Sequence, residues 1–527
     1  MRNFHLPGRS NVLSTNGIAA SSQSLSTLEA ISILKKGGNA IDAAIAASAV
    51  QAVIEPGSTG IGGDCFALIS IKNKKPISVN GSGISAKKLS HIFFDEKKIK
   101  IEKTSPHSVT IPGAVHAWFS MHQRYGKIDF EELFFTAEKY ARYGYPVHEV
   151  TAYAWEKNIE KINNNKNSKK IFSKNGKPYS FKEIHKNIPL ADTLKSISKN
   201  NIKDFYNGYI AEDIVKTLHD LGGVQTLEDF NKQDTIFSNT IKNTYKEKII
   251  HECPPNGPGI TVLIIMAILE KFDFSKINPM SSERFHIQAE ATKLAFEERE
   301  KFIGDPLFNK MEISKLISEK FIDKLVSKIS LKKCYEPFNF NITAHPETVY
   351  LTVIDKDLNV VSMINSICYA FGSGITTNNT GILLQNRGVN FRLEKNHPNC
   401  IQGNKRPLHT IIPGLITNQK NESVMSFGVM GGQYQPVGQS HLIQNIFEFN
   451  MNIQEAIDFP RAFYLGGNYK FEKSFPNNII HELNELGHKS SYSDDTIGGG
   501  QAVYIDRKEG ILIGGSDPRK DGCAIGY

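Results

Sequence analysis

The stretch "AIDAAIAASAVQAVIEPGSTGIGGDCFALISI", Ala40 to Ile71, constrains the fold more than any other part of the chain. Nearly every residue from Ala40 to Ile54 is small or apolar, so a helix here has no polar face to give to water and must be buried. Its small side chains let the backbone pack closely against a sheet. Upstream, "SQSLSTLEAISILKKGG" reads as another helix, with Gly37 and Gly38 where a C-cap falls. Asp42 then sits in the first turn of the Ala-rich helix, where a carboxylate suits the dipole. The loop "GIGGD" gives backbone freedom just before the strand "CFALISI". A phosphate cradle follows a strand and opens a helix; this loop precedes a strand, which argues against a nucleotide site.

Residues 115–330 read as mainly helical, with apolar positions three and four apart in "VHAWFSMHQRYG", "FEELFFTAEKYARYG", "IAEDIVKTLHDLGG" and "SERFHIQAEATKLAFEEREKFIG". The Asn/Lys-rich piece between Lys157 and Lys177 reads as a surface loop or frayed helix end. After Thr348 the period changes to that of strands: "VYLTVID", "VVSMINSI", "GILLQN", "SVMSFGVM" and "AVYIDR". Helical layers around a sheet-rich middle predict a layered α+β fold. With 527 residues and no flexible linker, one compact unit is expected.

Lysine and arginine exceed aspartate and glutamate by 62 to 54, a net +8, but the excess is lysine scattered through Asn-rich segments. Nucleic-acid binding needs clustered basic residues with interleaved aromatics, and these are missing. The six cysteines, Cys65, Cys253, Cys334, Cys368, Cys400 and Cys523, show no CxxC pairing, which argues against a zinc site and a disulfide framework. The first residues lack the apolar core of a signal peptide, and the apolar runs are too short or interrupted to span a bilayer. A cytoplasmic protein with reduced thiols, no membrane partner, no metal and no cofactor is the expectation.

Three constellations carry chemistry: Glu347-Thr348 at the mouth of a strand, Gly431-Gly432 after an apolar run, and the cluster Asn386, Arg387, Gly388 and Asn390. Singly, each has an ordinary structural explanation: β-propensity, a turn, a solvated loop arginine. In order, they sit among motifs that resemble the γ-glutamyltransferase (glutathione hydrolase) superfamily. These are "GGNAIDAAIAASAVQAVIEPGSTGIGGDCFAL", "TVYLTVIDKDLNVVSMINSICYAFGSGI", "GNKRPLHTIIPGL", "GVMGGQYQPVGQ" and "SDPRKDGCAIGY", covering the chain from about Gly17 to Tyr527. The resemblance implies a four-layer αββα N-terminal-nucleophile hydrolase, made as one proenzyme and cut between Glu347 and Thr348. A large subunit, 1–347, and a small one, 348–527, would then form an αβ heterodimer; whether two such units pair stays open. It further implies Thr348 as nucleophile, Gly431 and Gly432 as oxyanion donors, and Ser366 as a hydroxyl that assists Thr348.

The sequence departs from the family's acyl-group pocket. Gly81 or a neighbour stands where an arginine grips the substrate carboxylate, Asn390 replaces an aspartate that receives the α-amine, His409 and Thr410 replace paired serines, Cys368 replaces an asparagine, and Arg387 replaces a glutamine. Losing the aspartate removes the partner of an ammonium group. Arg387 could act as a relocated carboxylate clamp, and His409 could add a hydrogen bond or simply pack. The variant pattern is similar to a branch that includes oxamate amidohydrolases. The expected activity is cleavage of a γ-glutamyl or similar small carboxylate-bearing amide. The alternatives are an oxamate-type amidohydrolase without γ-glutamyl activity, a β-lactam side-chain acylase and, in another class, an uncleaved non-catalytic protein.

Overall fold

The structure is a computed structural model that describes residues 8–72, 74–200, 202–336, 348–465 and 467–527; Glu347, the acid of the expected cleavage site, lies outside them. The alternating run after Thr348 folds as an antiparallel hairpin of β10 (Val349–Ile354) and β11 (Val360–Ser366). Leu351, Val353, Val361 and Met363 enter a core shared with the helix Ala40–Ile54, while Tyr350, Ile354, Val360 and Ile364 enter a second core between two sheets. Both faces are buried, so apolar residues occupy both alternating sets of positions, one set toward each core.

This hairpin is the centre of an antiparallel seven-stranded sheet, ordered β19 (Cys523–Gly526), β2 (Ile18–Ser21), β10, β11, β3 (Asp64–Ser70), β4 (Ile77–Gly81) and β7 (Ile236–Asn239). The facing sheet runs β1 (Val12–Ser14), β18 (Ile511–Ser516), β17 (Gly499–Asp506), β13 (Ser423–Met430), β12 (Gly414–Thr417), β9 (Lys248–Glu252) and β8 (Ile241–Tyr245). Two small sheets lie apart: β5 (Tyr145–Pro146) with β6 (Ile184–His185), and β14 (Ala462–Leu465), β15 (Asn468–Phe471) and β16 (Ser490–Tyr492). Helices Ser24–Lys35 and Ala40–Ile54 cover the outer face of the first large sheet, and Gly259–Leu269 and Gln435–Phe447 that of the second. The layers therefore run helix, sheet, sheet, helix.

Local chemistry accounts for the entry to this core. Asn39 caps the Ala-rich helix, accepting from the Ile41 and Asp42 N–H groups while the Asp42 carboxylate accepts from Asn39 N, a reciprocal capping box. Gly37, at φ +100°, turns the chain between the two helices. Both large sheets mix strands from before and after residue 348: β10 lies between β2 and β11, and β11 pairs with β3. The two segments are thus woven together and could not be pulled apart without breaking both sheets.

The region 115–330 is mainly helical, and it also holds β5, β6, β7, β8 and β9. The hairpin β8–β9 turns through Lys246 and Glu247, both at positive φ, so it lacks the Asn-Gly signal such turns normally show. Two further readings need correction. "GILLQN" is no strand: Leu383 and Leu384 make single bridges, to Thr376 and Gly62, and are buried by loop packing. The piece between Lys157 and Lys177 contains short helices Ile159–Asn163 and Lys166–Phe172, anchored by the buried Ser168 hydroxyl donating to Gly374 O.

Candidate active site

The hairpin register pairs Val349 with Asn365, which sets Thr348 opposite Ser366, and Ser366 in turn lies opposite Asp64 on β3. By the two-residue period, Thr348 shares the face of Tyr350, Ser366 that of Ile364, and Asp64 that of Phe66. All three side chains therefore enter the inter-sheet space as one polar row across three strands. Thr348 and Ser366 hydroxyl oxygens are 3.2 Å apart.

Asp64 is fully buried and gathers the rest of the site. Its Oδ1 accepts from Gly83 N at 2.8 Å and Gln385 Nε2 at 3.0 Å; its Oδ2 accepts from His409 Nε2 at 3.0 Å and lies 3.8 Å from Arg387 Nε. A carboxylate oxygen can only accept from the ring, so Nε2 carries the His409 proton and Nδ1 presents a bare lone pair. Burial, reinforced by the nearby Arg387 charge, pushes His409 down to about 4 against the opposing pull of Asp64, so the ring is neutral near pH 7. Its ring also packs on Phe66, with centroids 4.8 Å apart.

Arg387, likewise fully buried, donates from Nη1 to Thr410 Oγ1 at 2.8 Å and from Nη2 to Ser366 Oγ at 3.1 Å. Ser366 Oγ also accepts from Cys368 N at 3.0 Å. With both acceptor positions used, the one proton of the Ser366 hydroxyl is left to point at Thr348 Oγ1. A chain of contacts thus runs from Asp64 through Arg387 and Ser366 to Thr348.

The irregular segment carrying His409 and Thr410 is held by side chains. Arg406 N donates to Asp305, Leu408 N to Asn399 Oδ1, and His409 N to Asn256 O. Asn390 is half-buried, its Nδ2 donating to Leu408 O at 3.0 Å; it braces this segment and presents no carboxylate. Cys368 is buried at φ +80°, and burial pushes its thiol up. A Cβ on Gly81 would meet Ala117 Cβ at 2.5 Å, so a side chain there would strike a neighbouring helix.

Gly431 and Gly432 follow β13 at φ +124° and +58°, conformations that glycine adopts without strain. Neither N–H donates to an acceptor among the described residues. Their proximity to Thr348 follows from how β10 and β13 face each other: Thr352 bonds Ser426, and the Tyr350 ring lies against Gly428. Two residues further along each strand, the same progression brings Thr348 to the Met430–Gly431 end.

Asp64 was not among the residues singled out from the sequence. Its signal was a lone acid opening an otherwise apolar strand whose alternate residues face a core.

The layered fold that encloses this row is that of a hydrolase of the N-terminal-nucleophile type. The chain belongs to the γ-glutamyltranspeptidase family, whose profile matches residues 26–527. The glutathione hydrolase-like YwrD proenzyme of Bacillus subtilis is 33% identical over 98% of this chain and 99% of that protein. The oxamate amidohydrolase proenzyme of Klebsiella pneumoniae is 28% identical over 98% of this chain and 100% of its own length. Among solved structures, cephalosporin acylase from Bacillus halodurans superposes with a TM-score of 0.94 at 34% identity, covering 100% of this chain and 99% of that one. Among the described residues no helix is long and apolar enough to cross a membrane.

Proposed function

We propose that the chain is a self-processing amidohydrolase cut between Glu347 and Thr348, with Thr348 as the nucleophile of the mature enzyme. The observation that carries this reading is the row Thr348–Ser366–Asp64, with the threonine and serine hydroxyl oxygens 3.2 Å apart. In the precursor, Thr348 Oγ attacks the Glu347 carbonyl carbon, the peptide nitrogen leaves as the Thr348 amine, and water opens the resulting ester. Segments 1–347 and 348–527 stay associated as large and small subunits because their strands alternate within both sheets. The freed amine, with a reference pKa of about 7.7–8.0, then takes the hydroxyl proton as Thr348 attacks a substrate amide. Gly431 and Gly432 N–H groups receive the oxyanion. A pair of hydroxyl–amine groups on one residue needs no histidine base.

The substrate class follows from charge. Two Arg387 nitrogens hold Thr410 and Ser366, the latter next to the nucleophile, so a guanidinium charge stands close to the reacting hydroxyl and favours a small acyl group bearing a carboxylate. Asp64 already accepts three hydrogen bonds, and Asn390 carries an amide, so an α-ammonium group finds no free carboxylate in this constellation. An amide without an α-amine, as in the oxamate-type branch, fits better than a γ-glutamyl group. A second reading, β-lactam side-chain acylase, draws on the likeness to the Bacillus halodurans acylase.

Denaturing mass spectrometry of the purified protein beside Thr348→Ala tests the core of the proposal. Two fragments beginning at Met1 and Thr348 are expected, replaced in the variant by one intact chain of 58.8 kDa. An intact wild-type chain would support the non-catalytic alternative instead. Turnover of oxamate-like amides, γ-glutamyl amides and cephalosporins by the cleaved protein then separates the substrate classes.

A further inference from the structure

Away from the Asp64 row, the long helix Ser282–Phe302 turns a second group of ionisable side chains inward. His286 and Glu290 lie one turn apart on this helix, and His488, from the loop before β16, meets them. All three are buried, with donor atoms within 4.8 Å of one another, and His286 Nδ1 is 2.8 Å from His488 Nε2. We propose that His286, Glu290 and His488 form a binding site for one divalent transition-metal ion of the zinc type. The two imidazoles are 202 residues apart in the chain, so no spacing in the sequence announces the cluster.

The hydrogen bonds around the cluster orient its lone pairs. His286 Nε2 lies 2.7 Å from the Ser330 carbonyl, which only accepts, so that nitrogen carries the ring proton and Nδ1 presents a lone pair to the cluster. Fixing a ligand histidine through its other nitrogen is how metal sites hold their imidazoles. His488 Nδ1 is buried without a hydrogen-bond partner. Moving the His488 proton from Nε2 to Nδ1 would leave both facing nitrogens free to bind an ion. Zinc–nitrogen bonds of about 2.0–2.1 Å in a tetrahedral site separate two ligand nitrogens by about 3.3 Å, so the pair need open by only about 0.5 Å. Glu290 Oε1 accepts from Lys293 Nζ at 2.7 Å and Oε2 from Tyr335 N at 2.7 Å, which leaves each oxygen a further lone pair for the ion.

A cavity of about 280 Å³, lined by Lys293, Cys334, Tyr335, Gly487 and His488 among others, adjoins the cluster and offers an entry path and room for a water ligand. Imidazole-rich sets favour zinc, copper, nickel and cobalt over magnesium or calcium. Lys293 opposes the ion, because its buried ammonium shares the Glu290 carboxylate. Removing that charge should therefore tighten binding. The site would also have a mechanical effect: His286 holds Ser330 O, while Glu290 and Lys293 hold Tyr335 N and O. An ion here ties the segment 330–335, which lies shortly before the expected cleavage site, to the helix Ser282–Phe302.

The test is metal retention by the full-length, tag-free protein, stripped with chelator, loaded with Zn²⁺ or Co²⁺ and desalted. One equivalent per chain is expected, with the visible absorption of tetrahedral, nitrogen-ligated Co²⁺ and a raised melting temperature. His286→Ala and His488→Ala should each weaken binding by more than about tenfold, and Lys293→Met should strengthen it. His488→Gln, which keeps a polar side chain, serves if the alanine variants fail to fold. Failure of the wild type to retain either metal, or equal retention by the histidine variants, overturns the proposal.

Discussion

Asp64 Oδ2 accepts the Nε2 proton of His409 at 3.0 Å, and both side chains are fully buried. The contact fixes which ring nitrogen carries the proton, while burial, acting against the pull of Asp64, keeps the imidazole neutral and makes the fold sensitive to acid. His409 falls from the ordinary histidine value of 6.5 to about 4, so between those pH values the unfolded chain binds a proton that the folded one does not. Stability is complete above about pH 6.5 and is lost as the pH falls toward 4, by about 3 kcal/mol for this residue alone. Burial also lowers His185 and His251 to about 4, which steepens the loss. Urea midpoints at pH 7 and pH 5 check this; equal midpoints would show that the histidines are not held neutral.

The Asp64 and Arg387 charges lie 3.8 Å apart with no exposure. Removing one partner strands the other, so Asp64→Asn should cost about 3–5 kcal/mol. Removing both, as in Asp64→Asn with Arg387→Met, should recover part of that loss. Thermal unfolding of the four proteins in a double-mutant cycle measures the coupling, and strict additivity would rule out a working pair.

Ser366→Ala leaves the Cys368 N–H and one Arg387 nitrogen without their acceptor and takes away the proton aimed at Thr348 Oγ1. Chain cleavage should slow by about 10²-fold, the lower end of what a positioned proton-transfer partner contributes. The precursor fraction followed over time by mass spectrometry reads this directly; cleavage at the wild-type rate would reduce Ser366 to a packing residue.

Gly431→Ala puts a side chain on a backbone at φ +124°, with its Cβ 3.0 Å from Gly498 Cα. The strain, about 1–3 kcal/mol, should be relieved by rotating the Gly431 and Gly432 N–H groups out of line. A lost oxyanion donor lowers kcat by about 10²–10³. Steady-state kinetics on any accepted amide should show a fall in kcat with little change in KM, whereas a change in KM alone would place the glycines elsewhere in the mechanism.

Much of this architecture was legible because it is local. The Ala-rich run required a buried helix, and the alternation after Thr348 required a strand pair, since both periods are properties of a short stretch of backbone. The hairpin's register even sets Thr348 opposite Ser366. The β8–β9 hairpin was missed because its turn uses Lys246 and Glu247 in place of glycine or asparagine, and "GILLQN" was read as a strand because burial by loops leaves the same apolar trace.

What the sequence by itself determined is thus the buried Ala-rich helix and the strand pair that follows Thr348, together with a list of candidate reacting residues. The tertiary structure alone decided which partners those residues have. Asp64 and His409 are 345 residues apart, and Asp64 and Gln385 321 apart; no local period relates them. They meet because β3 packs beside β11 and a side-chain-anchored loop crosses the end of the sandwich, where a buried carboxylate must collect donors to offset its lost hydration.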